Sequence, residues 1–178
     1  MRIIGGALKA RQFHPPQNIP TRPTTDFAKE GLFNVINNNF NFENIKFLDL
    51  FGGTGSISYE LASRGCEDLT LVEQDHNTIQ FIKKTVEELK FDNFKILKMD
   101  VFTYIKNCTL SFDFIFAGPP YALKNIDDIP NLIFEKKMLN VNGWFILEHT
   151  PRNNYEKHPN FLRSKNYGTT IFSIFEQE

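Results

Sequence analysis

The sequence predicts an α/β protein with a mainly parallel sheet, helices on both faces, and an antiparallel hairpin that makes the sheet mixed. Three observations carry this. Strand-type apolar runs alternate with helix-type runs from residue 45 to residue 149, and such alternation implies right-handed crossovers between parallel strands. The first of these runs leads straight into glycines at positions 52, 53 and 55. Two last runs, 161–166 and 169–175, meet at Tyr167-Gly168, as the strands of a hairpin do.

The elements follow in order. Residues 1–25 hold Arg2, Lys9, Arg11 and Arg22 with no acid before Asp26. Arg2-Ile3-Ile4, then Gly5-Gly6 and a polar stretch to Phe13, suggest a short hairpin. Pro15, Pro16, Pro20 and Pro23 then force extended, irregular chain. Thr25 or Asp26 caps a helix whose apolar side is Phe27, Leu32, Phe33, Val35 and Ile36, and the asparagines at 37–39 end it. Residues 1–40 therefore read as an N-terminal hairpin-and-helix extension, and 41–178 as the main domain. In that domain, 45–50, 69–73, 94–99, 112–117 and 143–149 are strand-type. Helical spacing covers 56–64, with Gly65 closing it, and then 76–89, a short piece near 101–105, and 129–138. With the closing hairpin this makes seven strands.

Composition excludes several classes. The 178 residues carry 20 Lys+Arg against 21 Asp+Glu, so a net charge of -1 argues against a general polycation. With 41% hydrophobic residues and 19 Phe, the chain can bury a large core and is not disordered. No apolar run approaches the ~18 residues of a spanning helix. Cys66 and Cys108 lie far apart, which argues against a disulfide framework or zinc ribbon. His14, His76, His149 and His158 share no ligand spacing, so no metal is expected. Without a signal-like N-terminus, the expectation is a cytoplasmic protein.

The stretch Asp49-Leu-Phe-Gly-Gly-Thr-Gly-Ser56 sits where a strand hands over to a helix, so backbone can approach a ligand closely there. It lacks the Gly-Lys-Ser/Thr of a phosphate-binding loop, and Ser58 stands where a dinucleotide fingerprint needs its third glycine. Asp49 would repel a pyrophosphate but suits a cationic or amino-bearing ligand. Glu73 ends the second strand, where a carboxylate can take ribose hydroxyls. Asp100 follows the third, where an acid can accept from an adenine amino group. A nucleoside carrying an amino acid instead of phosphates meets all three requirements, and S-adenosylmethionine is such a molecule. A nicotinamide-dependent oxidoreductase is the reading these departures disfavour.

After the fourth strand comes Gly118-Pro119-Pro120-Tyr121. In this topology the fourth strand lies beside the first, so both turns face one cleft. The prolines stiffen the backbone and leave the first proline's carbonyl to accept, and Tyr121 offers a flat face to a flipped base. Glu148, ending the fifth strand, reads as an ordinary strand end that approaches the cleft.

Taken with Arg2-Ile-Ile-Gly-Gly6, Thr21-Arg-Pro-Thr-Thr-Asp26 and Lys29-Glu-Gly-Leu-Phe-Asn34, these motifs resemble the RsmD-like family of bacterial 16S rRNA (guanine-N2)-methyltransferases over nearly the whole chain. The resemblance implies a Rossmann-like class I S-adenosylmethionine-dependent methyltransferase fold. It implies that Asp49, Gly52, Gly53 and Gly55 hold the methionine part of S-adenosylmethionine, Glu73 its ribose and Asp100 its adenine. Arg22 and Thr24 would close over the cofactor and position the RNA, while Arg2, Lys9 and Arg11 meet phosphates. Gly118, Pro119, Pro120 and Tyr121 would form the catalytic turn. The implied partner is 16S rRNA, free or in an assembled small ribosomal subunit, with the enzyme a monomer away from membranes.

One position departs from the family pattern. Where Gly118 stands, the family has Asp or Asn, whose side-chain oxygen accepts an N–H from the target amine and orients its lone pair. Glycine offers no such acceptor, and its loss is worth on the order of 10²–10⁴ in rate. The alternative reading is therefore an impaired or inactive methyltransferase fold acting as an RNA-binding module.

Overall fold

In the computed structural model, which describes residues 1–20 and 24–178, seven strands form one sheet in the order β3-β2-β1-β4-β5-β7-β6. The elements run α1 (Asp26–Ile36), a 3-10 turn (Phe42–Asn44), β1 (Lys46–Leu50), α2 (Ser56–Ser63), β2 (Asp68–Glu73), α3 (His76–Glu88), β3 (Phe94–Lys98), α4 (Val101–Asn107), β4 (Phe112–Ala117), α5 (Asp128–Glu135), β5 (Leu139–His149), β6 (Phe161–Tyr167) and β7 (Thr170–Glu176). Strands β1 to β5 pair in parallel, and β7 pairs antiparallel with both β5 and β6. The expected mixed α/β fold is borne out, including β4 beside β1.

Local chemistry explains the helix starts. Thr25 accepts from the Ala28 N–H to cap α1, Asp75 accepts from Thr78 to cap α3, and Asp100 accepts from Thr103 to cap α4. Each oxygen satisfies a donor that the first turn leaves without a helical partner. The alternation of side chains along a strand then divides the core. Leu48 and Leu50 of β1 pack with Ile115 and Ala117 of β4 and with Ile105, Ile129 and Ile133 of the helices on that face. Phe47 and Phe114 face the other way, against Leu32, Phe33 and Ile36 of α1 and Ile57 and Leu61 of α2.

Strand β5 begins four residues earlier than its apolar run suggests. Asn142 sits at φ 62°, and a Cβ on Gly143 would lie 2.7 Å from the Asn140 carbonyl oxygen, so Asn-Gly here is an irregularity inside a strand. Such a dipeptide commonly turns the chain, and here the strand runs through it.

The N-terminal segment lies along α2. Arg2 and Gln12 form an antiparallel bridge, and Ile3 and Phe13 pack with Tyr59, Leu71 and Ile82. The fully buried Glu60 carboxylate organises this contact. It accepts from the Ile4 and Gly5 N–H groups at 2.8 and 2.7 Å and from Arg64 Nη2 at 2.8 Å, with Lys29 Nζ 3.8 Å away. Lys29 is fully buried too, and donates to the Arg2 carbonyl and to Ser56 Oγ. Burial lowers its pKa, while Glu60 and Asp26 work against that shift. Two buried charges, Glu60 accepting from backbone N–H groups and Lys29 donating to a backbone carbonyl, fix where the segment docks.

Candidate active site

A cleft of about 800 Å³ opens at the carboxyl ends of β1, β2, β4 and β5, the edge at which open α/β sheets hold ligands. Its floor is set by register. Leu50 pairs with Ala117, and Ala117 with Leu147, so Phe51, Gly118 and Glu148 come next, side by side. The Gly118 N–H reaches the Leu50 carbonyl at 3.3 Å, which holds the two turns together across the sheet. Counting by twos from Phe47, Phe114 and Trp144 on the α1/α2 face puts Asp49, Gly118 and Glu148 on that same face.

The glycines serve different ends. Gly53 and Gly55 adopt φ 53° and 77°, a region that side chains rarely enter. A Cβ on Gly52 would lie 2.4 Å from a Leu71 methyl, and one on Gly55 2.4 Å from the Tyr59 ring. Gly52 and Gly53 line the cleft; Gly55 lies behind it as the N-cap residue of α2. Phe51, at φ 62°, also lines the cleft and packs edge-on to Phe102 at 6.5 Å. With Val101 and Leu123 these two rings give one wall an apolar surface suited to a flat heterocycle. Sequence reasoning passed over this wall, whose one signal was an aromatic residue directly before the glycines.

Asp49 is 2% exposed. Ser58 Oγ donates to its Oδ2 at 2.6 Å. Burial above all, with the negative Glu73 and Glu148 beside it and against the opposing Ser58 hydrogen bond, pushes its pKa up to about 8. A desolvated acid with two acidic neighbours at a cleft wall is matched to a positively charged ligand group.

Glu73 is held by three backbone donors: Gly53 N–H at 3.0 Å, Gln74 at 2.8 Å and Asp75 at 2.9 Å. It ties the glycine loop to the end of β2 while lining the cleft. Asp100 lines the cleft as well as capping α4. Thr24 lines it from the N-terminal side and donates to Glu148 Oε2 at 2.6 Å. Pro119, Pro120 and Tyr121 form the facing wall, and the Tyr121 hydroxyl donates to Glu148 Oε1 at 3.1 Å.

Three of the four basic residues expected to meet RNA are among the described residues. Arg2 Nε pairs with Asp26 at 3.1 Å. Lys9 and Arg11 are exposed on the N-terminal segment and do not line the cleft. Arg22, with Thr21 and Pro23, lies outside the described residues. Glu148, expected as an ordinary strand end, lines the cleft and accepts from Thr24 and Tyr121. Its signal, an acid closing the otherwise apolar run Trp144-Phe-Ile-Leu147, gains meaning only from the neighbouring strand.

Residues 1–176 match the family model described as Conserved hypothetical protein 95. The ribosomal RNA small subunit methyltransferase D of Buchnera aphidicola subsp. Acyrthosiphon pisum is 31% identical over 167 residues, which cover 93% of this chain and 83% of that protein. The chain belongs to the RsmD family. Among solved structures, a hypothetical protein of Thermus thermophilus shares the fold of this family member with a TM-score of 0.87, at 22% identity over 99% of both chains. The 16S rRNA N2 methyltransferase RsmC of Thermus thermophilus, in complex with AdoMet and guanosine, reaches 0.73 at 21% identity, covering 100% of this chain and 49% of that one. These likenesses carry the class of fold expected from the sequence.

Proposed function

We propose that this RsmD-family protein transfers a methyl group from S-adenosylmethionine to the exocyclic N2 of a guanine in small-subunit 16S rRNA. The observation that carries the reading is Asp49, a buried acid facing a glycine-lined cleft across from Gly118-Pro119-Pro120-Tyr121. The name of its Buchnera relative points to the same substrate class.

The residues fit the cofactor. A carboxyl raised to about 8 by burial is stabilised as its anion when an ammonium group enters beside it. The Phe51–Phe102 wall suits an adenine, with Asp100 at its edge, and Glu73 stands at the strand end where ribose hydroxyls would lie. When bound, S-adenosylmethionine supplies a sulfonium-activated methyl group that an amine can take by direct displacement.

The chain's part is binding and orientation. The Gly52-Gly53 backbone would let the amino-acid moiety approach closely, and Asp49, as its anion, would hold that moiety's charge. Pro119 and Pro120 stiffen the turn that receives the base, and Tyr121, its hydroxyl anchored on Glu148, presents a ring for the flipped guanine. Enclosing the amine and the methyl group in one cleft replaces an encounter between separate molecules with a positioned one. No covalent enzyme intermediate is required.

Unmethylated small ribosomal subunits incubated with the protein and labelled S-adenosylmethionine test the reading. Label should appear in 16S rRNA, and nucleoside digestion should return it as N2-methylguanosine. Absence of label from RNA, with the cofactor bound, would contradict it and favour the RNA-binding module suggested by Gly118.

A further inference from the structure

Gly118 leaves the catalytic turn without a side-chain acceptor, yet its backbone does not demand glycine. Its φ lies outside the left-handed region that restricts Gly53 and Gly55. A Cβ there would meet Phe116 Cε1 at 3.2 Å, and Glu148 Oε2 lies within reach of it at 3.9 Å. An Asp or Asn at 118 would push its oxygen into the space that Glu148 Oε2 borders. The register explains this, because Glu148 follows Leu147 on β5 as Gly118 follows Ala117 on β4.

Resting on the proposed reaction, we infer that Glu148 is the catalytic acceptor for the target amine, supplying from β5 the oxygen that position 118 lacks. Glu148 is 6% exposed and lines the cleft. Thr24 Oγ1 donates to its Oε2 at 2.6 Å and Tyr121 to its Oε1 at 3.1 Å. These contacts orient the carboxylate, and both donors line the same cleft. A carboxylate oxygen accepts more than one hydrogen bond, so an amine N–H can join them. The Tyr121 link also ties the residue that stacks the base to the one that reads its amine.

The amine donates a hydrogen bond to Glu148 and turns its lone pair toward the methyl donor. A new N–C bond forms as the donor's S–C bond breaks, its electron pair staying on sulfur. The excess proton on nitrogen passes to the Glu148 carboxylate and from there to water. Charge balances, since the positive donor becomes a neutral thioether as one proton is released.

The test uses the full chain with Glu148→Ala, Gly118→Asn and the double variant. Each is measured for S-adenosylhomocysteine binding by calorimetry and for methylation of unmethylated small subunits. The S-adenosylhomocysteine complex is also titrated with guanosine and with inosine, which lacks the 2-amino group. Glu148→Ala should lower turnover by about 10²-fold or more while S-adenosylhomocysteine affinity stays within about threefold. It should weaken guanosine binding more than inosine binding. Adding Gly118→Asn to Glu148→Ala should recover about tenfold or more of the lost rate. Glu148→Ala turning over like the parent would overturn the inference. So would equal losses for both nucleosides, a double variant with no recovery, or a parent chain that binds S-adenosylhomocysteine but methylates only as Gly118→Asn. A parent chain that does not bind S-adenosylhomocysteine would instead overturn the proposed function itself, and the inference with it.

Discussion

A carboxyl group that keeps its proton to about pH 8 meets a cationic ligand only by releasing that proton, and Asp49 is such a group. The sign follows from linkage. Its folded pKa lies above its ordinary 3.8, so the folded chain binds the extra proton between about 4 and about 8 and loses stability as pH rises through that window. Binding of an ammonium-bearing ligand runs the other way, because the ligand favours the anion. Calorimetric affinity for S-adenosylhomocysteine should therefore rise by up to about tenfold per pH unit below pH 8 and flatten above it. Asp49→Asn should abolish most of this pH dependence, weaken binding by about tenfold or more, and make the unliganded chain more stable than the parent at alkaline pH. Asp49 was legible because acid and glycines are close together in sequence. Glu148 was not, since its meaning depends on a glycine 30 positions away in the chain and one strand away in space.

At the scale of elements, two turn glycines separate conformational need from contact need. Gly55 and Gly168 both lie in the left-handed region, at φ 77° and 71°. A Cβ on Gly55 would strike the Tyr59 ring at 2.4 Å, whereas one on Gly168 meets nothing within 4 Å. Gly168→Ala should thus cost about 1 kcal/mol from backbone strain alone. Gly55→Ala should cost that plus the displacement of a buried ring, about 2–4 kcal/mol in all, by urea unfolding. Most elements could be read in advance because their signals are local, as in the Thr25 cap of α1 or the Tyr167-Gly168 turn between β6 and β7. Local signals mislead at Asn142-Gly143, where tertiary pairing carries β5 through a dipeptide that ordinarily turns the chain.

Across the whole molecule, a net charge of -1 conceals an uneven distribution. Asp49, Glu73, Asp100 and Glu148 gather at one edge of the sheet, around a cleft matched to a cation. The N-terminal segment carries Lys9 and Arg11 exposed along α2, and the Arg2 charge is taken up by Asp26. How that segment docks was not legible. Lys29 and Glu60 look like ordinary surface residues of two helices until packing buries both and gives Glu60 the Ile4 and Gly5 backbone to hold. The cleft itself was legible, since β1, β2 and β4 end in chemically marked residues and the crossover rule sets those ends side by side. The central claim, that this cleft receives S-adenosylmethionine, is tested most directly by titrating the chain with S-adenosylhomocysteine in a calorimeter, beside Glu73→Ala. One site per chain, with affinity reduced about tenfold or more in the variant, is the predicted result. No heat of binding in the parent, or equal binding in parent and variant, would contradict it.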